Sequence, residues 1–438
     1  MKIILFLPNT TSHKNDSIWV KKKRRMGYAP TSLTLLSALV PKQLNAEVRV
    51  IDEAVESVDI DDWSADLVGI SVLTANAPYA YALSKKLRKR GITVVLGGVH
   101  TTLMPEEAIQ NADAIVIGYA EKSWPQLLLD FSNGRLKKVY RPEGWKEVFQ
   151  GRAMPAPDRS KLHWNQYILP NTIEATRGCY NKCSFCVIPG FNQAHFSKRP
   201  IDAIIKEIKQ MPSKRVAFLD SSPTEDIEYS KALMKAMIPL KIKWYSCATT
   251  KIINDDEWFD LARKSGCRGV LTGFESINQQ AINDTRKRFN KVERYGELVR
   301  KLHDAKISIL GTFILGFDHD DHDVFDATLE FVNSVKIDIL HFAIATPFPG
   351  TPFYNKLLNE NRILHQEWEK YDGHHVVFQP NKLSPEELRN GFFELHRRAH
   401  SYRSIYKRLS GAYHSLGFRL IANWGFRLYG KYQMNHIA

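Results

Sequence analysis

Short apolar runs alternate with helical patterns along this chain, and they do so twice. In the N-terminal third the runs are KIILFL, EVRVID, LVGISVL, TVVLGG and AIVIG. Helical segments lie between them. Pro30 opens one with Leu33, Leu36 and Val40 on one face, and another starts near Pro78 and stops at Gly91, a residue suited to the position after a helix. Such alternation implies an α/β fold with a parallel, doubly wound, Rossmann-like sheet. Sheets of this kind bind ligands at the carboxyl ends of their strands. Here those ends present Asn9, Ser71, Thr74, Gly97, Gly98, His100, Gly118 and Glu121, and the paired glycines let backbone approach a ligand closely. There is neither a GxGxxG fingerprint nor a P-loop, so nothing indicates a dinucleotide or a nucleoside triphosphate.

A proline-interrupted stretch without a clear period, 141–168, reads as a linker after a first domain at 1–140. Alternation then resumes, with apolar runs near 173–177, 215–219, 242–248, 269–274, 307–315 and 338–345 and helical patterns between them. Six β-α units suggest a partial (β/α)6 barrel over 169–355, with site residues again at the strand ends. Residues 356–438 read as mainly helical. The 438-residue length is a soft prior for about three domains.

The net charge of +14 is unevenly placed. From Arg397 to Ala438 there are eight Lys and Arg, no Asp or Glu, and eight aromatics, Tyr402, Tyr406, Trp424 and Tyr429 among them. This combination suits a surface that meets phosphates or lipid headgroups; the alternative is a solvated helix pair that packs its rings on the body. No apolar run is long enough to span a membrane. Five cysteines in a long chain do not make a disulfide scaffold, so a reducing, cytoplasmic setting is expected.

Three of the five fall in EATRGCYNKCSFCVIPG, as Cys179, Cys183 and Cys186, directly after the first run of the second series. Structural zinc wants four ligands in paired knuckles, and no fourth Cys is near. Three thiolates suit a [4Fe-4S] cube in which one iron lacks a protein ligand and can take a substrate or cofactor. Cys247, in KWYSCATT, and Cys267 read as core residues, although Cys247 could donate a proton or hydrogen atom if it faces a substrate. His374 and His375 are paired in an expected loop, either on the surface or as acid and base near a substrate.

The C-x3-C-x2-C loop after the first strand of a six-unit barrel resembles the radical S-adenosylmethionine (SAM) superfamily. The resemblance implies a [4Fe-4S] cluster whose open iron chelates SAM, and reductive cleavage of SAM to methionine and a 5′-deoxyadenosyl radical. It implies that Phe185 packs near the adenine. Asp220, Ser221 and Ser222 (FLDSS), Glu275 and Ser276 (GFES), and Gly311 and Gly316 (GTFILGFD) are implied to contact SAM. TPFPGT follows the sixth strand as in many members with a cobalamin-type N-terminal domain. GYAPTSLTLLSAL, ADLVGISVLTANAP, VVLGGVHTTLMPEEA and AIVIGYAEKSWPQLL resemble that cobalamin-binding domain, and YDGHHVVFQP and LSPEELRNGF resemble the same subgroup, which includes enzymes of hopanoid and tetrapyrrole biosynthesis. The D-x-H-x-x-G pattern that supplies a histidine to cobalt is absent.

The resulting expectation is a cobalamin-associated radical SAM enzyme that methylates, cyclises or rearranges an unactivated carbon of a small-molecule or lipid-like substrate. It would draw electrons from a donor such as flavodoxin or ferredoxin and could touch a membrane through its C-terminal tail. The alternatives are an RNA-modifying radical SAM enzyme, for which no appended RNA-binding module is found, and a non-enzymatic iron-sulfur or corrinoid-binding protein.

Overall fold

The computed structural model describes residues 1–9, 26–56, 59–142, 155–410 and 415–437. Residues 143–154 of the expected linker and 411–414 of the tail lie outside the described residues. The chain divides into two compact units: Met1–Glu174 with Val187–Pro212 and Glu367–Glu369, and Ala175–Cys186 with Ser213–Gln366 and Lys370–Ala438.

In the first unit the sheet runs Glu47–Asp52, Lys2–Leu7, Leu67–Ser71, Thr93–Gly97, Ala114–Val116, Val139–Tyr140, with every pairing parallel. The first strand thus lies between the second and third, and the strand order reverses beside it. A crevice opens at the carboxyl ends where such a reversal occurs. Ile3 and Leu5 pack on one face with Leu33, Val95 and Trp124, while Ile4 and Phe6 pack on the other with Ile70, Leu83 and Leu96. Both faces are covered by helices, which is why these strands read as continuous apolar runs rather than alternating ones. The last strand, Val139–Tyr140, has only two residues, too few for a sequence period to register. Residues 155–174 also pack in this unit: the Tyr167 hydroxyl donates to Asp52 at 3.0 Å.

The second unit holds five parallel strands in sequential order, Arg215–Phe218, Lys243–Cys247, Cys267–Glu275, Ser308–Leu315 and Ile339–Ile344. The helices between them start where the sequence supplies caps. Asp226 accepts from the Tyr229 amide and Asp255 from the Trp258 amide. The second of these helices ends at Gly266, where φ is +96° and a Cβ would lie 2.0 Å from the Ile242 carbonyl oxygen, so only glycine fits. Phe274, Phe313 and Phe342 line one sheet face and meet Tyr295 and Phe331 of the overlying helices. By strand alternation, Cys247, Leu271 and Leu310 share the opposite face in register, as do Thr312 and His341.

The final helix, Leu416–Ile437, reaches that opposite face, with Phe418 against Tyr245 and Phe426 against His341. Much of the tail's positive charge is used internally. Arg419, fully buried, pairs with Asp338, which also accepts from the Ile309 amide at 2.9 Å. Arg408, also fully buried, donates to the carbonyls of Ile337, Asp338 and Ala399 and to Asn423 Oδ1. Arg397 pairs with Glu394, and Arg398 with Asp326. The +8 counted along the tail therefore overstates what meets solvent. On its outer side the tail exposes Tyr402, Tyr406, Leu420, Ile421, Trp424 and Leu428, flanked by exposed Arg403, Lys407 and Lys431. Among the described residues, no helix is long and apolar enough to cross a membrane.

Four histidines gather inside this unit. His341, His374, His396 and His400 come together with Phe392, Phe426 and Tyr429, and the His396 and His400 rings stack 4.2 Å apart. Most of them line a cavity of about 10 Å³. Gly430 makes the room, since a Cβ there would lie 2.1 Å from His396 Cε1. Burial pushes His341 and His400 down to about 4, and His396 well below its ordinary value. These rings are neutral in the folded chain, whereas in the unfolded chain they titrate near ~6.5. The stability they contribute is complete above that value and is lost as pH falls from it toward 4. Melting temperature is expected to drop over this interval, and less steeply in His400→Gln; equal pH profiles for the two proteins would contradict this.

Candidate active site

The cysteine loop leaves a short strand, Thr176–Gly178, whose position is set by one buried carboxylate. Asp220, two residues beyond the Arg215–Phe218 strand, accepts through Oδ1 from the Ala175 amide at 3.0 Å, the Thr176 hydroxyl at 2.6 Å and the Thr176 amide. A carboxylate can accept several donors at once, so it suits the end of a strand where backbone amides are left unpaired. The loop is also fastened along its length. The Ser184 amide donates to the Thr285 carbonyl at 2.9 Å, and the Phe353 amide to the Ser184 carbonyl at 2.8 Å. The Cys186 amide turns back onto the Cys183 carbonyl at 3.2 Å.

Cys183 is buried, and Cys179 and Cys186 are half-buried. Burial pushes the Cys183 thiol up to about 12, with the Lys287 ammonium pulling the other way. Such a thiol gives up its proton to a metal rather than to water. Among the described residues, no group of three or more His, Cys, Asp and Glu side chains is arranged to hold a single metal ion. The donor set is all sulfur, which is the ligation iron-sulfur clusters use.

Other expected site residues stand as follows. The Phe185 ring lies 6.0 Å from that of Phe317, which brings the cysteine loop to the end of the Ser308–Leu315 strand. Asp320 caps that strand end by accepting from the Gly316 and Phe317 amides; burial is the largest influence on its carboxyl and raises it to about 6. Ser221 is exposed, while Ser222 is buried and donates to Glu225 at 3.0 Å. Glu275 adopts φ +68°, rare for a residue with a side chain, and its Oε1 lies 2.5 Å from Lys287 Nζ. Ser276 Oγ accepts from the Asn278 amide at 3.0 Å. Gly311 and Gly316 leave no room for a side chain: a Cβ on Gly311 would lie 2.9 Å from Ile337, and one on Gly316 would lie 2.7 Å from Leu388. Cys247 closes its strand, and burial pushes its thiol up to about 11, so it is a thiol at neutral pH. Cys267 is buried in the core. His375 binds Asp372 at 3.0 Å, and His374 belongs to the histidine group.

Sequence reasoning missed Asn181, Glu225, Lys251 and Lys287. Lys251 Nζ lies 3.0 Å from Glu225 Oε1, and both lysines lie over the Phe289 ring, at 4.9 and 5.7 Å. No residue pattern marks them, because only the fold brings these distant segments together.

In the first unit, Asn9, Ser71, Thr74, Gly97, Gly98, Gly118 and Glu121 fall at or just beyond the carboxyl ends of its strands. Gly98 has φ +97°, and a Cβ there would stand 2.8 Å from the Val72 backbone, so the close turn requires glycine. The buried Asn76, also missed, ties the first and third strand ends: its Nδ2 donates to the Pro8 carbonyl at 2.9 Å and its Oδ1 accepts from the Leu73 amide at 2.8 Å. His100 is fully enclosed. Its ring nitrogens lie 3.3 Å from Thr74 Oγ1 and 3.3 Å from Glu107 Oε1, and Trp368 packs on its ring. With both nitrogens engaged, His100 orders the helix after the strand and offers none to a metal.

Two family models match the chain, the radical SAM superfamily over residues 173–332 and the B12-binding domain over 28–128. A bacteriochlorophyllide d C-12(1)-methyltransferase of Chlorobaculum tepidum is 32% identical over 393 residues, covering 87% of this chain and 85% of its own. A bacteriochlorophyllide d C-8(2)-methyltransferase of the same organism is 31% identical over 374 residues, covering 81% of each. In fold, the chain resembles the radical SAM methyltransferase TsrM of Kitasatospora setae, solved with cobalamin and a [4Fe-4S] cluster, with a TM-score of 0.68, 17% identity and coverage of 90% and 88%. The chain belongs to the radical SAM superfamily, among the methyltransferases that carry an N-terminal B12-binding domain. It is an enzyme, and its cofactors are a [4Fe-4S] cluster, SAM and cobalamin.

With both ring nitrogens engaged, His100 itself is expected not to ligate the cobalt of bound cobalamin. The electron paramagnetic resonance spectrum of the cob(II)alamin form should be the same in the wild type and in His100→Gln; a nitrogen splitting present in the wild type and lost in the variant would overturn this assignment.

Proposed function

We propose that this chain methylates an unactivated carbon of a hydrophobic, ring-bearing small molecule, of the class that includes the bacteriochlorophyllide d of its Chlorobaculum relatives. The observation that carries this reading is the fastened three-cysteine loop, set at the strand ends of a sheet whose inner face holds Leu271, Leu310 and Thr312. When bound, the cluster with SAM supplies a 5′-deoxyadenosyl radical, and cobalamin supplies a transferable methyl group. Cys179, Cys183 and Cys186 would hold three irons and leave the fourth open. Phe185 would pack on the adenine. Asp220, Ser222, Glu275 and Ser276, at or just beyond their strand ends, would meet SAM's polar groups. The strand-end glycines and polar residues of the first unit would hold the corrinoid. Cys247, in register with Leu271 on that inner face, would lie against the substrate as a neutral thiol and help to position it.

The test is anaerobic reconstitution with iron, sulfide, hydroxocobalamin, reductant and methyl-deuterated SAM, using a bacteriochlorophyllide as first probe. A flavodoxin or ferredoxin would serve as donor in a cytoplasmic setting. 5′-Deoxyadenosine, S-adenosylhomocysteine and a deuterated product are expected, and all three vanish in Cys183→Ala. Absence of 5′-deoxyadenosine from the fully loaded protein would refute the radical reading. Cys247→Ala should keep 5′-deoxyadenosine formation but lower methylated product about a hundredfold, the scale of a substrate displaced from the reacting groups. Unchanged product would remove Cys247 from the mechanism.

The outer face of the last helix supports contact with an anionic lipid surface. Ile421, Trp424 and Leu428 recur at helical spacing, Ile421 being 74% exposed, and Arg403, Lys407 and Lys431 flank them. Apolar area edged with cations is the pattern of an interfacial helix. Deleting the tail would also strip Arg408 and Arg419 from the interior, so Ile421→Glu with Trp424→Glu is the better probe. Partitioning onto phosphatidylserine vesicles is expected to fall about tenfold, since charged side chains replace buried apolar area; equal partitioning would exclude the contact.

A further inference from the structure

The C-x3-C spacer contains a residue whose chemistry is fixed by its neighbours. The Asn181 amide lies between an obligate donor and an obligate acceptor: its Oδ1 is 3.2 Å from Lys251 Nζ, and its Nδ2 is 2.8 Å from Glu225 Oε2. An ammonium only donates and a carboxylate without its proton only accepts, so the amide has one sensible orientation. In that orientation Nδ2 also lies 3.0 Å from the Cys179 sulfur, and the Asn181 backbone amide adds a second contact to the same sulfur at 3.4 Å. The partners are themselves held. Glu225 has a side chain only 4% exposed, accepts from Ser222 at 3.0 Å and binds Lys251 at 3.0 Å, while Lys251 rests over Phe289.

We propose that Asn181 is a positioning residue that sets the reduction potential of the cluster by donating its side-chain N–H to the Cys179 sulfur, with Lys251 and Glu225 locking the amide in place. Adding an electron to the cluster makes its sulfur ligands more negative, which strengthens any N–H donor aimed at them. The donor therefore stabilises the reduced form over the oxidised one and raises the potential. Cys183 and Cys186 gain no side-chain donor from this triad, so the tuning is applied at one corner. This inference rests on Cys179, Cys183 and Cys186 being the cluster ligands.

The experiment is a redox titration of the anaerobically reconstituted full chain, followed by the electron paramagnetic resonance of the reduced cluster, with iron and sulfide measured on each sample. Asn181→Leu removes the donor at similar size, and Asn181→Asp puts a carboxylate in its place. At the potential where the wild-type cluster is half reduced, the ratio of reduced to oxidised cluster is expected to fall about fivefold in Asn181→Leu, the scale of one lost hydrogen bond, and further in Asn181→Asp. Equal ratios in fully loaded variants would overturn the proposal. So would failure of both variants to load a cluster that the wild type loads, because Asn181 would then serve assembly rather than potential. If the wild type itself loads no cluster, the ligand assignment falls first.

Discussion

The buried carboxylate of Asp220 fixes where the cysteine loop begins. It draws together two backbone amides and a hydroxyl from Ala175 and Thr176, four residues or fewer before Cys179. Three thiolates can share one inorganic core only if their backbone is held, because a loop free to wander would lose the entropy of ordering at every binding event. Asp220 anchors the stem, Thr285 and Phe353 hold the middle, and Asn181 is clamped between Glu225 and Lys251. The loop is thus prepared before any ligand arrives, and its anchors come from elements far apart in sequence.

Much of the architecture was legible in the sequence. Every apolar run named in advance became a strand, because parallel strands covered on both faces must be continuously apolar over a few residues. The three cysteines were legible for a different reason: few chemistries need three thiolates in eight positions. What was not legible depended on contacts between distant segments. Nothing in TED or TTK distinguishes Glu225 and Lys251 from solvated charges; only the fold brings them to Asn181. The tail misled in the other direction. A count of cations gives no sign that Arg408 and Arg419 are interior, since their partners, Asp338 and several backbone carbonyls, lie on other elements.

Several residues singled out by motif or by strand-end position carry packing and hydrogen-bonding constraints of their own. Gly311 and Gly316, matched to a ligand-binding segment, are filled by neighbouring side chains, whereas Gly98 turns where no Cβ could stand. His100, at a strand end that suits a cofactor, is held on both nitrogens by Thr74 and Glu107. Burial works to raise the Glu107 carboxyl, but hydrogen bonds from His100, Tyr81 and Trp368 outweigh it and hold the group below the usual range.

The contact of Gly430 with the His396 imidazole ties the last helix to a partner more than thirty positions upstream. Two members of this family that differ at either position cannot exchange their C-terminal helices piecemeal: a chimera joined between the two sites would set a side chain against a ring, or leave a void where the ring had been. Recombination among such proteins therefore has a preferred breakpoint ahead of residue 396, and substitutions at these two positions should be inherited as a pair.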